Sequence, residues 1–239
     1  MLKEITKEYF EMQDLGRATM EYVRNTVKPG MNLRELRALC ERFLLDNGAD
    51  SFWWFGVGAF MYAGDETAVS VVPEGGYVAS DRIIQEDDII TIDLSPQRAG
   101  VWGDFARTIV LEEGKVVSDI SLIKHDEWRN GLLMEEFLHE KLMEIADEEM
   151  TFEELHEKIN MITEEKGYRN LDSLGNFGHS IEKRDEDRIY SEKGNKEKLS
   201  SVAMFTFEPH ISLPESKYIP AAVKEARQTG GVICATTPK

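Results

Sequence analysis

The stretch DIITIDLSPQRAGVWGDFARTIVL, residues 88–111, constrains the fold more than any other part of the chain. In its first half Ile90, Ile92 and Leu94 alternate with Thr91, Asp93 and Ser95, and in its second half Trp102, Asp104, Ala106 and Thr108 fall on one face. A period of two is the mark of a strand with one buried face. The intervening PQRAG supplies turn residues, so an antiparallel hairpin turning between Gln97 and Gly100 is expected. That pairing brings Asp93 and Asp104 opposite each other or nearly so. Two carboxylates within cross-strand reach repel and push one pKa up. A divalent cation between them removes the conflict, and so does an open, solvated sheet face; the two residues alone do not choose.

Around the hairpin, helical and strand patterns alternate. Leu2 to Val27 is helical in period and ends before Pro29-Gly30, and Asn32 with Glu35 reads as a capping box for a helix that Gly48 closes. SFWWFGVGAF and ETAVSVV are short, glycine-punctuated and rich in strand formers. Val117 to Met150 reads as helical, and Thr151 with Glu154 opens a further helix that Gly167 ends. SVAMFTFEPHI alternates again, with Thr206, Glu208 and His210 on one face and Phe205 and Phe207 on the other, whereas Ala221 to Arg227 is made of good helix formers. No internal repeat is visible. With roughly 150 residues per domain as a prior, the 239 residues allow one large domain or two small ones.

Composition limits the partners. A formal charge of −17 repels phosphate backbones and anionic lipid, so neither nucleic acid nor membrane is expected. The start MLKEITKEYFEMQ lacks the apolar run of a signal peptide, and a cytoplasmic location is expected. Cys40 and Cys234 form no disulfide framework or close-spaced metal motif and read as small buried hydrophobes.

Asp93, Asp104, His179 and Glu208 all lie in or beside strand-type segments. This oxygen-rich set with one imidazole suits Mn, Co, Fe or Zn better than a thiolate-preferring ion. The same segments carry a resemblance. TIDLSPQRAGVWGDFART, then GHSI after a long helical span, then FTFEPHI, resembles the pita-bread metallopeptidases, the group of methionine aminopeptidase, aminopeptidase P, prolidase and creatinase, over roughly Ile5 to His210.

The resemblance implies one α+β catalytic domain spanning 1–239, with a curved, mostly antiparallel sheet flanked by helices and two divalent ions on its concave face, Mn or Co preferred and Fe or Zn as alternatives. Asp93 would chelate one ion, Asp104 and Glu208 would bridge or bind the pair, and His179 would complete one coordination sphere. Arg107 would support the site by pairing with a carboxylate. A water shared by the ions would attack the scissile carbonyl as hydroxide, and Glu208 would relay the proton to the leaving amine. A further glutamate is expected after FEP. The candidates are Glu215 and Glu225, of which Glu225 is preferred although its surroundings do not read as a strand.

The chain departs from the family pattern in two histidines. Trp53 to Asp93 contains none, and the metal-type His179 is followed by SIEKRDEDRIY, so the usual substrate-side imidazoles are missing and peptidase activity is in question. His210, on the face of Glu208, is the candidate substitute. His125, His139 and His156 lie on charged helical segments and read as solvated. EKRDEDRIYSEKGNKEK reads as a mobile polar loop from which Arg184 or Arg188 could approach a substrate carboxylate. The cluster Phe52 to Phe55 reads as core, with pocket lining as the alternative. The function expected is a metallopeptidase hydrolysing small peptides, an Xaa-Pro dipeptidase or aminopeptidase preferred over methionine aminopeptidase. A creatinase-like C–N hydrolase or lyase, and a metal-free binding protein on the same scaffold, are the alternatives. A small peptide is the expected partner, with a homodimer left open.

Overall fold

The computed structural model describes residues 7–68, 77–172, 174–216, 224–229 and 232–235. Helix α1 (Lys7–Thr26) buries Met12, Leu15, Gly16, Thr19, Met20 and Val23, a three-to-four-residue stripe, and α2 (Leu33–Asp46) buries Leu33, Leu36, Cys40 and Leu44. The capping box forms as read: the Asn32 side chain accepts from Arg34 N, and Asn32 N donates to Glu35. Strands β1 (Ser51–Phe52), β2 (Ala59–Ala63) and β3 (Asp88–Leu94) follow, then β4 (Pro96–Arg98), β5 (Val101–Trp102), β6 (Phe105–Glu112) and β7 (Lys115–Val117). The main sheet has the order β2-β3-β6-β7, and β1, β4 and β5 form a small second one. Met61, Ile90, Ile92, Leu94, Phe105 and Ile109 pack with α1 and α2, which fixes that face of the sheet as the helix-covered one. Burying one such side chain stabilises by roughly 1.5–3 kcal/mol.

The second half repeats the plan. Helices α3 (Asp126–Ile145) and α4 (Phe152–Glu165) precede β8 (Arg169–Asn170), β9 (Met204–Phe207), β10 (Ile211–Ser212), β11 (Lys224–Thr229) and β12 (Val232–Ala235), with sheet order β12-β11-β9 and a separate β10-β8 pair. Phe205 and Phe207 pack on Leu138, Phe152 and Ile159, so Thr206 between them faces the other way. The correspondence with the first half is local and specific. Asn32 bridges Ile83 while Thr151 bridges Lys198, and the Met31 carbonyl accepts from Ile84 N as the Met150 carbonyl accepts from Leu199 N. MNLREL and MTFEEL occupy these equivalent places. A six-residue match is too short to be legible as a repeat in the sequence alone.

Four expectations change. The helix read over Val117 to Met150 covers Asp126–Ile145. Ahead of it the buried Glu112 carboxylate accepts from Lys124 N and His125 N and sets its start. The helical reading of Ala221 to Arg227 fails: Lys224–Thr229 is a strand, because pairing with both β9 and β12 outweighs the helix propensity of its residues. Gly64–Ala68, in the region read as ETAVSVV, forms a 3-10 turn, and residues 69–76 lie outside the described ones. The hairpin is not simple, since β4 and β5 form an excursion between β3 and β6, turning at Ala99 and Gly100, both with positive φ. Among the described residues no helix is long and apolar enough to cross a membrane.

Candidate metal centre

The β3–β6 register places Asp93 opposite Ala106, so Asp104, two residues earlier and at the end of the excursion, is its diagonal rather than direct neighbour. Pairing of Ile92 with Arg107 and of Leu94 with Phe105 sends those residues to the helix-covered face and leaves Asp93 on the other. His179 reaches this face from the second half. Its predecessor Gly178 has φ +125, and a Cβ there would fall 2.3 Å from the Thr206 carbonyl oxygen, so glycine lets the loop lie directly on β9. His179 N donates to Thr206 Oγ1 at 3.0 Å, and Thr206 N donates to the His179 carbonyl at 2.8 Å. The Thr206 hydroxyl in turn donates to the Glu208 carboxylate, which follows β9 directly.

Ligand atoms of Asp104, His179 and Glu208 all lie within 4.8 Å of one another. His179 Nδ1 lies 2.8 Å from the Ser180 carbonyl, which can only accept, so Nδ1 carries the proton of the neutral ring. The lone pair of Nε2 is thereby turned toward Asp104 Oδ2 at 3.5 Å and Glu208 Oε1 at 3.6 Å. Three acceptors facing one point repel unless a proton or a cation sits among them. Asp93 feels the same deficit, its carboxyl held above the ordinary range by burial and then by the Glu208 charge. Hard oxygen donors, an oriented imidazole nitrogen and clustered negative charge fit a divalent ion.

An aromatic wall stands beside the cluster. Trp53 meets the His179 ring edge-on at 5.7 Å, stacks on Trp102 at 4.6 Å, and donates from Nε1 to the Gly103 carbonyl. Tyr190 meets His179 from another side at 5.6 Å. The Arg188 guanidinium lies over Trp54, Tyr190 and Trp53, at 4.1, 5.1 and 5.4 Å. The segment read as a mobile loop is thus tied down, with Tyr190 bridged to His179 and Gly194 N donating to the Glu153 carboxylate of α4. The pocket-lining alternative for the Trp53 region describes its place better than core does, since Trp53 borders the candidate ligand His179.

His210 is held by a hydrogen bond to the Thr67 backbone, and burial is the largest influence lowering its pKa below the ordinary imidazole value. Arg107 does not support the cluster as expected. Strand alternation sends it to the α1 side, where its guanidinium lies over Phe105 at 4.1 Å. Position 225 lies on β11 opposite Thr206. His139, read as solvated, is buried and meets Phe207 edge-on at 5.0 Å, because α3 turns it inward beside Leu138 and Leu142. His156 is half-buried, 3.1 Å from the Ser191 carbonyl, and His125 is exposed and stacked on Trp128. Thr206 was missed as a member of the site; its alternation with Phe205 and Phe207 was the available signal.

Residues 7–234 match the model of metallopeptidase family M24. The chain is 31% identical over 103 residues to methionine aminopeptidase 1 of Bacillus subtilis, 41% of this chain and 39% of that protein. It is 27% identical over 216 residues to methionine aminopeptidase of Helicobacter pylori, 86% of this chain and 79% of that one. Among solved structures it resembles the X-Pro aminopeptidase of Thermotoga maritima with a TM-score of 0.78 at 20% identity, covering 100% of this chain and 63% of that one. It therefore spans less than two thirds of the first and last of these proteins. The fold is the pita-bread α+β fold.

Proposed function

The chain belongs to metallopeptidase family M24, and from that premise we propose that it is a dinuclear metal-dependent hydrolase of small peptides, an Xaa-Pro dipeptidase or aminopeptidase working in the cytoplasm. The observation that carries the reading is the Asp104–His179–Glu208 cluster, with the Nε2 lone pair turned into it and Asp93 on the diagonal. Asp93, Asp104, His179 and Glu208 would hold the ions, with Glu225 of β11 as the fifth ligand. Mn or Co suits the donors best. Divalent ions held there would supply Lewis-acid chemistry, lowering the pKa of a bound water and polarising a carbonyl.

The chain's own groups do the rest. Thr206 holds the Glu208 carboxylate in place, so that Glu208 can accept a proton from the attacking water and return it to the leaving amine. The Ser180 carbonyl keeps the His179 ring in one tautomer. Arg188, braced against Trp53, Trp54 and Tyr190 beside the ligand His179, offers a guanidinium to a free substrate carboxylate, which favours a dipeptide over a longer chain. The missing histidines favour a second reading, a C–N hydrolase or lyase on the same metals.

The test combines metal content with turnover. The Mn-treated protein is expected to hold close to two ions, Asp104→Ala and Glu208→Ala to lose most of that binding, and Xaa-Pro dipeptides to be cleaved in preference to Met-peptides and small amidines. Two bound ions with turnover of amidines alone would replace the peptidase by the second reading. Unchanged metal content in both variants would overturn the site.

A further inference from the structure

Four donors at or beside the cluster already have acceptors within the protein. His179 Nδ1 serves the Ser180 carbonyl, the Thr206 hydroxyl serves Glu208, Trp53 Nε1 serves the Gly103 carbonyl, and the neutral His210 ring serves the Thr67 backbone. None of them is left to meet charge that develops on a substrate. Tyr62 of β2 differs. It pairs with Thr91 as Phe60 pairs with Asp93, so Phe60 and Tyr62 share the face of Asp93, while Met61 and Ile92 lie on the helix-covered face. Diagonal neighbours on paired strands lie roughly 7–8 Å apart, within reach of an aromatic side chain. Asp93 therefore has Asp104 toward β6 and Tyr62 toward β2.

The Tyr62 ring is braced in that place. Tyr77 meets it edge-on at 5.6 Å and packs on Phe60 at 4.8 Å. Tyr77 is itself fixed to the outer edge of β2, its hydroxyl accepting from Met61 N at 2.6 Å and donating to the Met61 carbonyl at 2.7 Å. One phenol of the pair is thus spent on the backbone, while the half-buried Tyr62 hydroxyl has no hydrogen bond to any described residue. We propose that the Tyr62 hydroxyl donates a hydrogen bond to the substrate carbonyl oxygen as it becomes an oxyanion, the role left open by the missing imidazoles; this rests on the peptidase reading above. Attack of the water oxygen on the carbonyl carbon forms a C–O bond and moves the carbonyl π electrons onto its oxygen, where Tyr62 donates a hydrogen bond and keeps its own proton. When the C–N bond breaks, that electron pair re-forms the carbonyl, and the amine leaves with the C–N pair and the proton that Glu208 removed from the water. A phenol suits the task as a neutral donor. Burial, with Tyr77, Asp93 and Glu66 as neighbours, raises its pKa, so it holds its proton. A donor fixed before the reaction needs no reorganisation when the charge appears.

Tyr62→Phe, which removes the oxygen and keeps the ring, tests the assignment in the full, Mn-treated chain. Metal content is expected to be unchanged, and kcat on an Xaa-Pro dipeptide to fall about a hundredfold with KM changed less than about twofold. A phosphinic dipeptide analogue, a stable mimic of the tetrahedral state, is expected to bind the variant at least about tenfold more weakly by calorimetry. Tyr62→Leu carries the same expectations should Tyr62→Phe not fold. A wild type that cleaves the dipeptide, with kcat and phosphinate affinity unchanged in the variant, would overturn the proposal and leave the peptidase standing. Loss of metal from the variant would also overturn it, making Tyr62 a support of Asp93. A wild type that holds two ions but neither cleaves the dipeptide nor binds the phosphinate would overturn the peptidase reading and this proposal with it.

Discussion

The imidazole of His210 illustrates how one hydrogen bond limits a residue's chemistry. In the neutral ring a single nitrogen carries a proton, and the bond to the Thr67 carbonyl uses it. The other nitrogen can then only accept. Donation to a tetrahedral intermediate, the role for which sequence position suggested His210, therefore requires the doubly protonated ring. Burial opposes that form and holds the pKa below the ordinary 6.5. The sign follows directly: the donor is present at low pH and lost as pH rises through the lowered pKa. An oxyanion donor is worth about a hundredfold to a thousandfold in rate. The expected ratio of wild-type to His210→Ala kcat on an Xaa-Pro dipeptide, with Mn saturating, is near one at about pH 8 and grows below about pH 6. A large ratio that stays constant across that range would mean that His210 acts in its neutral form, as an acceptor or a support.

At the scale of elements, β11 is where sequence and structure part. The β3–β6 alternation, both capping boxes and the Phe205/Phe207 face were legible because each is local: period, cap and turn are decided within a few residues. β11 was not, since KEAR has helix propensity and only its two neighbouring strands overrule it. The excursion of β4 and β5 was likewise hidden in a stretch that reads as one long turn, and of the two placements the sequence allowed, opposite or nearly so, it gives Asp104 the diagonal one. Arg107 was misplaced for a related reason: its motif suggested a role, while strand alternation alone decides its face. The strand assignment strengthens the case for Glu225, whose register partner Thr206 sits between the two ligand-bearing segments at His179 and Glu208. Glu225→Gln should keep the shape of the strand but give less charge to an ion. Titration with Mn is expected to show one of two sites weakened at least about tenfold, with the melting temperature of the chelated protein unchanged. Two unaltered sites would assign the fifth position to another residue.

At the scale of the whole molecule, the proposed metal centre would join the two repeated halves, since Asp93 and Asp104 come from the first and His179 and Glu208 from the second. An ion bound there therefore ties the halves together as well as doing chemistry. Metal held at a hundred times its Kd stabilises by about 2.7 kcal/mol, which for a chain of this size raises Tm by roughly 5–10 °C. The size of that gain depends on pH through Asp93, whose folded pKa lies above its ordinary value of 3.8 because of burial and the Glu208 charge. Between those two values the metal-free folded chain binds more protons than the unfolded chain, so its stability falls as pH rises through that window. Metal affinity moves the other way, because the ligands must lose their protons to bind. Both effects widen the gap between metal-bound and chelated protein as pH increases. Melting curves with Mn and with a chelator, taken from about pH 5.5 to about pH 8, are expected to diverge steadily. Asp93→Asn, which removes the titrating carboxyl, should flatten the chelated curve. A gap that is constant with pH in the wild type would mean that the acidic cluster is already compensated by the protein itself, and would remove the electrostatic reason for placing a cation there.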